Sequence, residues 1–300
     1  MTGADAGAFS ASGAVARLGP PALTLAAAIV GAALLARLHP ALDAIGIGLP
    51  VGLLGAAFAA FAFLRRRAWV PAALAGLVLS AGLVAIRPIL GDTAPVGDPG
   101  FRLLQHNLLT SNSAADLSDR LIGVDIATLQ EAHAAHDAIE ALPPEWGRFT
   151  CGKGRSRTGT AIVSRFPIGS TNCMPDGAWA IVRTPDGPVT VVSLHLPWPW
   201  PFGQTEQIEV IGSILATLPG PFVVAGDFNQ TSWSATVARI AEMTGTRPIP
   251  GWRLTYSGAG GFMQLPIDHV LVPPGWRAEA TVGGRHGSDH SEVMAQIGPV

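Results

Sequence analysis

Charge is almost missing from the first third of this chain, and that absence limits its fold more than any motif does. Residues 1–91 hold six Arg and two Asp, with neither Lys nor Glu, whereas 92–300 hold the remaining thirteen basic and nineteen acidic residues. A water-soluble helix needs a polar stripe along its outer face, and the first segment lacks the residues to make one. The chain is therefore read as two objects, one apolar and one soluble with a net charge of 13 − 19 = −6.

The apolar object contains three runs, 18–38, 44–64 and 68–86, interrupted by one charge only, Arg37. Each is close to the roughly 20 residues that cross a bilayer as a helix, and the sequence predicts three transmembrane helices over 1–90. A cleaved signal peptide would account for the first run alone. Arg65, Arg66 and Arg67 form the densest positive cluster, between the second and third runs. Positive loops stay cytoplasmic, so the soluble part is expected in the periplasm or outside the cell. Residues 91–100 (GDTAPVGDPG) have linker composition. Over the whole chain, 13% charged residues against 48% hydrophobic ones exclude a disordered chain, a coiled coil and a basic nucleic-acid tail. Two cysteines exclude a disulfide scaffold and a cysteine-based zinc cluster.

From residue 101 onward the pattern changes to short Val- and Ile-rich runs separated by turns. Strands are predicted at 101–106, 124–129, 159–164, 179–183, 189–194, 222–225, 267–272 and 292–297, and helices at 113–122, 204–218 and 234–243. Many strands with few helices imply an α+β fold: a two-sheet β-sandwich flanked by helices. Polar residues cluster at the ends of these strands: Asn107, Glu131, His195, Asp227, Asn229, Asp268, Asp289 and His290. One charged strand end merely faces water, but so many, brought together, make an acidic pocket with two histidines. Carboxylate and amide oxygens suit Mg²⁺ or Mn²⁺ better than zinc. An Asp beside a His fixes its tautomer and makes it a better base. Asn and a second His can donate to phosphate oxygens, and the sum is metal-assisted hydrolysis of a phosphate ester.

The segments QHNL (105–108), LQE (129–131), GTAIVSRFPI (159–168), SLHL (193–196), GDFN (226–229), IDHV (267–270) and GSDH (287–290) resemble, in this order, the endonuclease/exonuclease/phosphatase superfamily with its DNase-I-like fold. The resemblance covers 101–300 and implies residue roles. Glu131 would be the principal metal ligand, with Asn107 and Asp289 beside it. His290 would activate water with Asp268 holding its ring. Asp227 and Asn229 would orient the nucleophile and the scissile phosphate, and His195 would stabilise charge on the phosphate. Bacterial members with a few membrane spans ahead of the catalytic domain resemble this chain further. The implied activity is that of a phosphodiesterase, phosphatase or nuclease, with Mg²⁺ or Mn²⁺ as cofactor, a lipid bilayer as partner, and no protein partner indicated. The substrate would be nucleic acid, a phospholipid headgroup or a small phosphoester. Leu109 replaces an Asp of the DNA-repair members, and the net charge of −6 lowers the nuclease reading. The alternative is a catalytically silent module that binds a phosphorylated ligand at the membrane.

Three features stay open at this level. Residues 152–157 (GKGRSR) are read as a solvated turn or a phosphate-steering rim. Residues 197–202 (PWPWPF) are a rigid turn or an aromatic lip. Cys151 and Cys173 either pair or do not. His106, His133, His136 and His286 receive no function.

Overall fold

The structure is a computed structural model describing residues 11–91, 100–152 and 159–299. Most of the linker and of the 152–157 loop therefore lies outside the described residues. The chain divides into two compact units, Met1–Arg87 and Pro88–Val300.

The N-terminal unit is helical: α1 (Ala11–Leu34), α2 (Pro40–Gly46), α3 (Leu49–Arg65) and α4 (Trp69–Ala85). Its packing is the reverse of a soluble bundle. Small residues are inside, with Ala56, Ala59 and Ala75 fully buried, while Leu54, Val70 and Leu77 are exposed. Close packing through small residues is how helices associate in lipid. The expectation of three full-length spans is corrected here. Among the described residues, only α1 is both long and apolar enough to span a bilayer, over Arg17–Leu34. The second run is broken into α2 and α3, bent by 62°. Pro50 accounts for the break: it has no N–H for the Gly46 carbonyl, and its ring excludes a continuous helix through that turn. The third run gives a helix of 17 residues, α4.

The C-terminal unit opens with β1 (Phe101–Asn107), α5 (Leu117–Arg120), β2 (Ile126–Gln130), α6 (His136–Glu140), β3 (Gly147–Cys151) and β4 (Thr160–Ser164). It continues with β5 (Ile168–Met174), β6 (Gly177–Thr184), β7 (Gly187–His195), α7 (Gln204–Leu215), β8 (Phe222–Asp227) and α8 (Ala235–Thr244). Last come β9 (Arg247–Pro248), β10 (Tyr256–Gly258), β11 (Met263–Leu265), β12 (Asp268–Val272), β13 (Arg277–Val282) and β14 (Val293–Gly298). One six-stranded sheet runs β13-β14-β1-β2-β4-β3, the other β5-β6-β7-β8-β12-β9, and β10-β11 is a separate hairpin. Both large sheets are mixed, with β1–β2 and β7–β8 as parallel pairs.

The alternation of apolar residues explains the layers. Phe101, Leu103, Ile162, Val182, Val191, Val223 and Val270 point between the sheets and form the central core. Leu104, Leu129 and Val163 point the other way, under α5 and α6, and Val192, Leu194 and Val224 point under α7 and α8. The α+β sandwich flanked by helices is thus observed. The predicted helix over 113–122 is confined to Leu117–Arg120, because Asn112 Oδ1 ties up the Ala114 N–H in a local turn at 3.0 Å.

Cys151 and Cys173 are joined in a disulfide. They lie on β3 and β5, an outer strand of each sheet, so the bond staples the two layers at their margin. Closing a loop with a sequence separation of 22 should stabilise the fold by about 3 kcal/mol through the unfolded chain. Cys151→Ser with Cys173→Ser is therefore expected to lower the urea midpoint, and added reductant should bring the natural chain to the same midpoint. A reductant-insensitive midpoint would refute the staple.

Candidate active site

The sheet registers place the polar strand ends side by side. His195 on β7 is the register partner of Asp227 on β8, and Asp227 is the partner of Asp268 on β12. In the other sheet Asn107 ends β1 opposite Gln130, the last residue of β2, so that Glu131 emerges beside it. The two rows join across the sandwich. Asn107 Nδ2 donates to Glu131 Oε1 at 3.1 Å and to Asp227 Oδ2 at 3.0 Å. Gln105 Nε2 donates to Asp268 Oδ1 at 3.0 Å, and Gln130 Nε2 donates to Ser193 Oγ at 3.0 Å.

Asp227 Oδ2 is the meeting point. Besides Asn107, it accepts from Asn229 Nδ2 at 3.3 Å, and it faces His195 Nε2 at 3.7 Å and His290 Nε2 at 3.6 Å. His195 Nε2 also lies 3.8 Å from Glu131 Oε1. Behind His290, Asp268 Oδ2 holds Nδ1 at 2.8 Å. The structure therefore brings Asn107, Glu131, His195, Asp227, Asn229, Asp268 and His290 into one continuous network. Asp289 adjoins it, partly exposed: burial raises the pKa of Tyr256 and Asp289 adds to that rise, as it adds to the larger effect of Asp268 and Asp227 on His290.

Backbone conformation sharpens this placement. Glu131 and Asn229 have φ of 51° and 47°, in the left-handed region that non-glycine residues avoid. Glu131 directly follows β2, and Asn229 lies two residues past the end of β8. Such strain gathers at functional sites.

Several participants carried no signal in the sequence. Thr110 holds Glu131 Oε2 through its backbone N at 2.8 Å and its hydroxyl at 2.5 Å. It reaches there because Leu109 adopts a φ of 68° and donates its N–H to Asn107 Oδ1 at 3.0 Å. Tyr256 packs its ring 5.0 Å from that of His290. His106, which received no function, is a buried support: its Nε2 bonds the His290 carbonyl at 3.1 Å, and Arg120 Nη2 meets its Nδ1 at 2.5 Å.

Electrostatics separate the carboxylates. Burial alone would raise Glu131, but bonds from Thr110 and Asn107 outweigh it and hold the carboxyl below its ordinary range. Burial raises Asp227. Burial would raise Asp268 too, but the adjacent His290 charge and its hydrogen bond hold Asp268 down. Burial disfavours charge on His290, yet Asp268 and Asp227 together push it up to about 10. A proton is thus stored on His290 between two buried carboxylates. The oxygen donors Glu131, Asp227 and Asp289 are hard ligands, and ligand atoms of Asp227, Asp268 and His290 lie within 4.8 Å of one another. The chemistry of this donor set fits a divalent cation, with Glu131, already ionised and partly open to solvent, as its natural ligand.

A family model described as endonuclease/exonuclease/phosphatase family matches residues 104–290, the span that contains every one of these side chains. The chain belongs to this family. Solved structures of the endonuclease/exonuclease/phosphatase fold agree. A family protein from Bacteroides thetaiotaomicron is 16% identical, with a TM-score of 0.51 over 69% of this chain and 96% of the other. D. rerio TDP2, solved with a single-stranded DNA product, is 16% identical, with a TM-score of 0.55 over 67% of this chain and 100% of the other. A functionally unknown protein from Enterococcus faecalis is 14% identical, with a TM-score of 0.51 over 67% and 100%. No curated protein sequence matches the chain. At these identities the neighbours establish the fold, and the chemistry rests on the site.

One buried histidine gives a separable test of this arrangement. His269 lies beneath the site, its Nε2 donating to the Gln230 carbonyl at 2.7 Å, and burial, with the Arg253 charge, holds its pKa down to about 4. Its folded pKa lies below the ordinary value of about 6.5, so its contribution to stability is full above pH about 6.5 and is lost as pH falls toward 4. Between pH 6.5 and 5 the natural chain should lose about 2 kcal/mol more than His269→Gln, whose amide can still donate to Gln230. Urea unfolding of both chains in EDTA measures this, and parallel pH curves would contradict it.

Proposed function

We propose that this endonuclease/exonuclease/phosphatase family member is a metal-dependent phosphoester hydrolase, tethered to a membrane by its N-terminal unit with the catalytic unit outside the cytoplasm. The observation that carries the reading is the convergence on Asp227 Oδ2 of His195, His290 and Asn107, with Asp268 fixing His290 from behind. A Mg²⁺ or Mn²⁺ ion held by Glu131, with Asp289 beside it, would supply positive charge to polarise the phosphoryl group.

The protein's own groups do the rest. Asn107 bridges Glu131 and Asp227 and fixes both carboxylates. Asp227 and Asn229 orient the attacking water. His290 Nε2, once its proton has passed to Asp227 Oδ2 at 3.6 Å, whose carboxyl burial favours in the protonated form, accepts the proton of that water, and Asp268 stabilises the imidazolium that results. His195 Nε2 donates to a phosphate oxygen on the opposite side, where negative charge develops in the transition state. Because these groups read the phosphate, the reading covers diesters and monoesters alike.

The N-terminal helices support the tether: apolar outside, small residues inside, Arg65–Arg67 at the turn from α3 to α4. The disulfide supports a location outside the cytoplasm, since such bonds persist in oxidising compartments. The test is a substrate panel of bis-p-nitrophenyl phosphate, plasmid DNA and sphingomyelin vesicles, presented to the full chain in detergent with Mg²⁺, Mn²⁺ or EDTA. Turnover that needs the ion supports the reading and names the substrate class. Equal turnover in EDTA refutes the metal. A reporter fused after Val300 that works only in the cytoplasm refutes the orientation.

A further inference from the structure

The catalytic unit exposes several large apolar side chains, one of which reaches the site. Just after His195, Trp198, Trp200 and Phe202 are 38%, 54% and 68% exposed. Later in the chain Trp252 is 47% and Leu254 39% exposed, and the turn before β11 carries Phe262 at 96%. The first group reaches the site through Tyr256. Trp198 packs edge-on against the Tyr256 ring at 5.6 Å, and that ring reaches His290. Trp252 is held by stacking on Trp233 at 5.7 Å and 12°. The stretches 196–203, 248–252 and 254–265 contain no charged residue. Single exposed apolar residues are ordinary, but six of them on uncharged stretches, one of which reaches a polar site, mark an interaction surface, here called the rim.

The connectivity of the chain identifies what covers it. The catalytic unit begins at Pro88, directly after the apolar helices, and Gly251 N donates to the Ile89 carbonyl at 3.1 Å. Trp252 is the next residue. A helix ending at Ala85 leaves Ile89 four residues away, or about 14 Å at most. Chain length alone therefore keeps Gly251 and Trp252 near any bilayer that holds those helices. Trp, Phe and Leu without charge are the residues that settle at the boundary between water and hydrocarbon.

We propose that this rim is a docking face for the lipid bilayer, seating the catalytic site against the headgroup layer. The proposal rests on the membrane reading of the N-terminal unit and not on the hydrolytic one. Its consequence is that phosphoesters carried in the plane of the membrane enter the site without leaving it.

The test uses the full chain in phosphatidylcholine–phosphatidylglycerol vesicles, with and without dibromo-phosphatidylcholine. Subtracting the emission of the Trp200→Phe, Trp252→Phe double variant isolates the signal of those two tryptophans. The expected result is at least about twofold quenching of that signal by bromolipid, with little quenching by acrylamide in the water phase. Quenching by acrylamide but not bromolipid would show an open rim and overturn the proposal. Protection from both quenchers would show a protein partner, or a second copy of the chain, and overturn it equally. Bis-p-nitrophenyl phosphate turnover on the same vesicles keeps the two readings apart: turnover without bromolipid quenching defeats the docking face alone, and quenching without turnover defeats the hydrolase alone.

Discussion

Replacing Asp268 with asparagine should lower kcat for phosphoester hydrolysis about 10³- to 10⁴-fold while leaving the fold in place, the loss known for carboxylate–histidine dyads of this kind. The reason is the direction of two hydrogen bonds. Gln105 Nε2 donates to Asp268 Oδ1 and His290 Nδ1 faces Oδ2. An asparagine that keeps its oxygen toward Gln105 Nε2, the atom that donates there, turns its NH₂ toward His290 Nδ1. That nitrogen must then be unprotonated, the ring proton moves to Nε2, and the atom that should accept a proton from water can no longer do so. Steady-state kinetics beside a thermal melt measure both halves of the expectation. A loss under about tenfold would mean that His290 is not the base.

The second large effect is structural. Gly226 lies on β8, next to Asp227, and a Cβ built there would sit 2.0 Å from the Leu194 carbonyl oxygen and 2.8 Å from its carbon. Both atoms are backbone of the parallel neighbour β7, fully buried, so no rotamer change relieves the clash. Gly226→Ala should destabilise the catalytic unit by about 3 kcal/mol or more, and it should force apart the register that pairs His195 with Asp227. Gly169→Ala on the outer strand β5, where the nearest atom is 3.4 Å away, is the matched control and should be nearly neutral. Equal urea midpoints for the two variants would contradict the close approach of β7 and β8.

The limits of reading this fold in its sequence follow the sheets. The eight strands expected from Val- and Ile-rich runs are the eight interior strands: β14, β1, β2 and β4 in one sheet and β6, β7, β8 and β12 in the other. In these two sheets the four that escaped, β13, β3, β5 and β9, are the four edges, and both strands of the separate β10–β11 hairpin escaped too. An interior strand has apolar neighbours on both sides. An edge such as Ile168–Met174 carries Gly169, Ser170, Asn172 and Cys173 toward water and leaves no alternation to detect. The candidate residues were legible for the same reason, since they terminate interior strands, where a buried polar side chain stands out against Val and Ile. Thr110 and Tyr256 were not, because their positions depend on a left-handed Leu109 and on a three-residue strand of the β10–β11 hairpin. In the N-terminal unit composition revealed the apolar character but overestimated helix continuity, which Pro50 decides locally.

The most direct test of the central claim is release of p-nitrophenol from bis-p-nitrophenyl phosphate by the full chain in detergent with Mg²⁺, beside Glu131→Gln and His195→Ala. Glu131→Gln keeps the shape of the side chain and removes the charge that Thr110 and Asn107 hold ionised. His195→Ala removes the donor between Glu131 and Asp227. The account predicts turnover by the natural chain and losses of at least about 10²-fold in both variants. Turnover that persists in both, or a natural chain no faster than either, would contradict it, and the latter result would favour the silent phosphate-binding module.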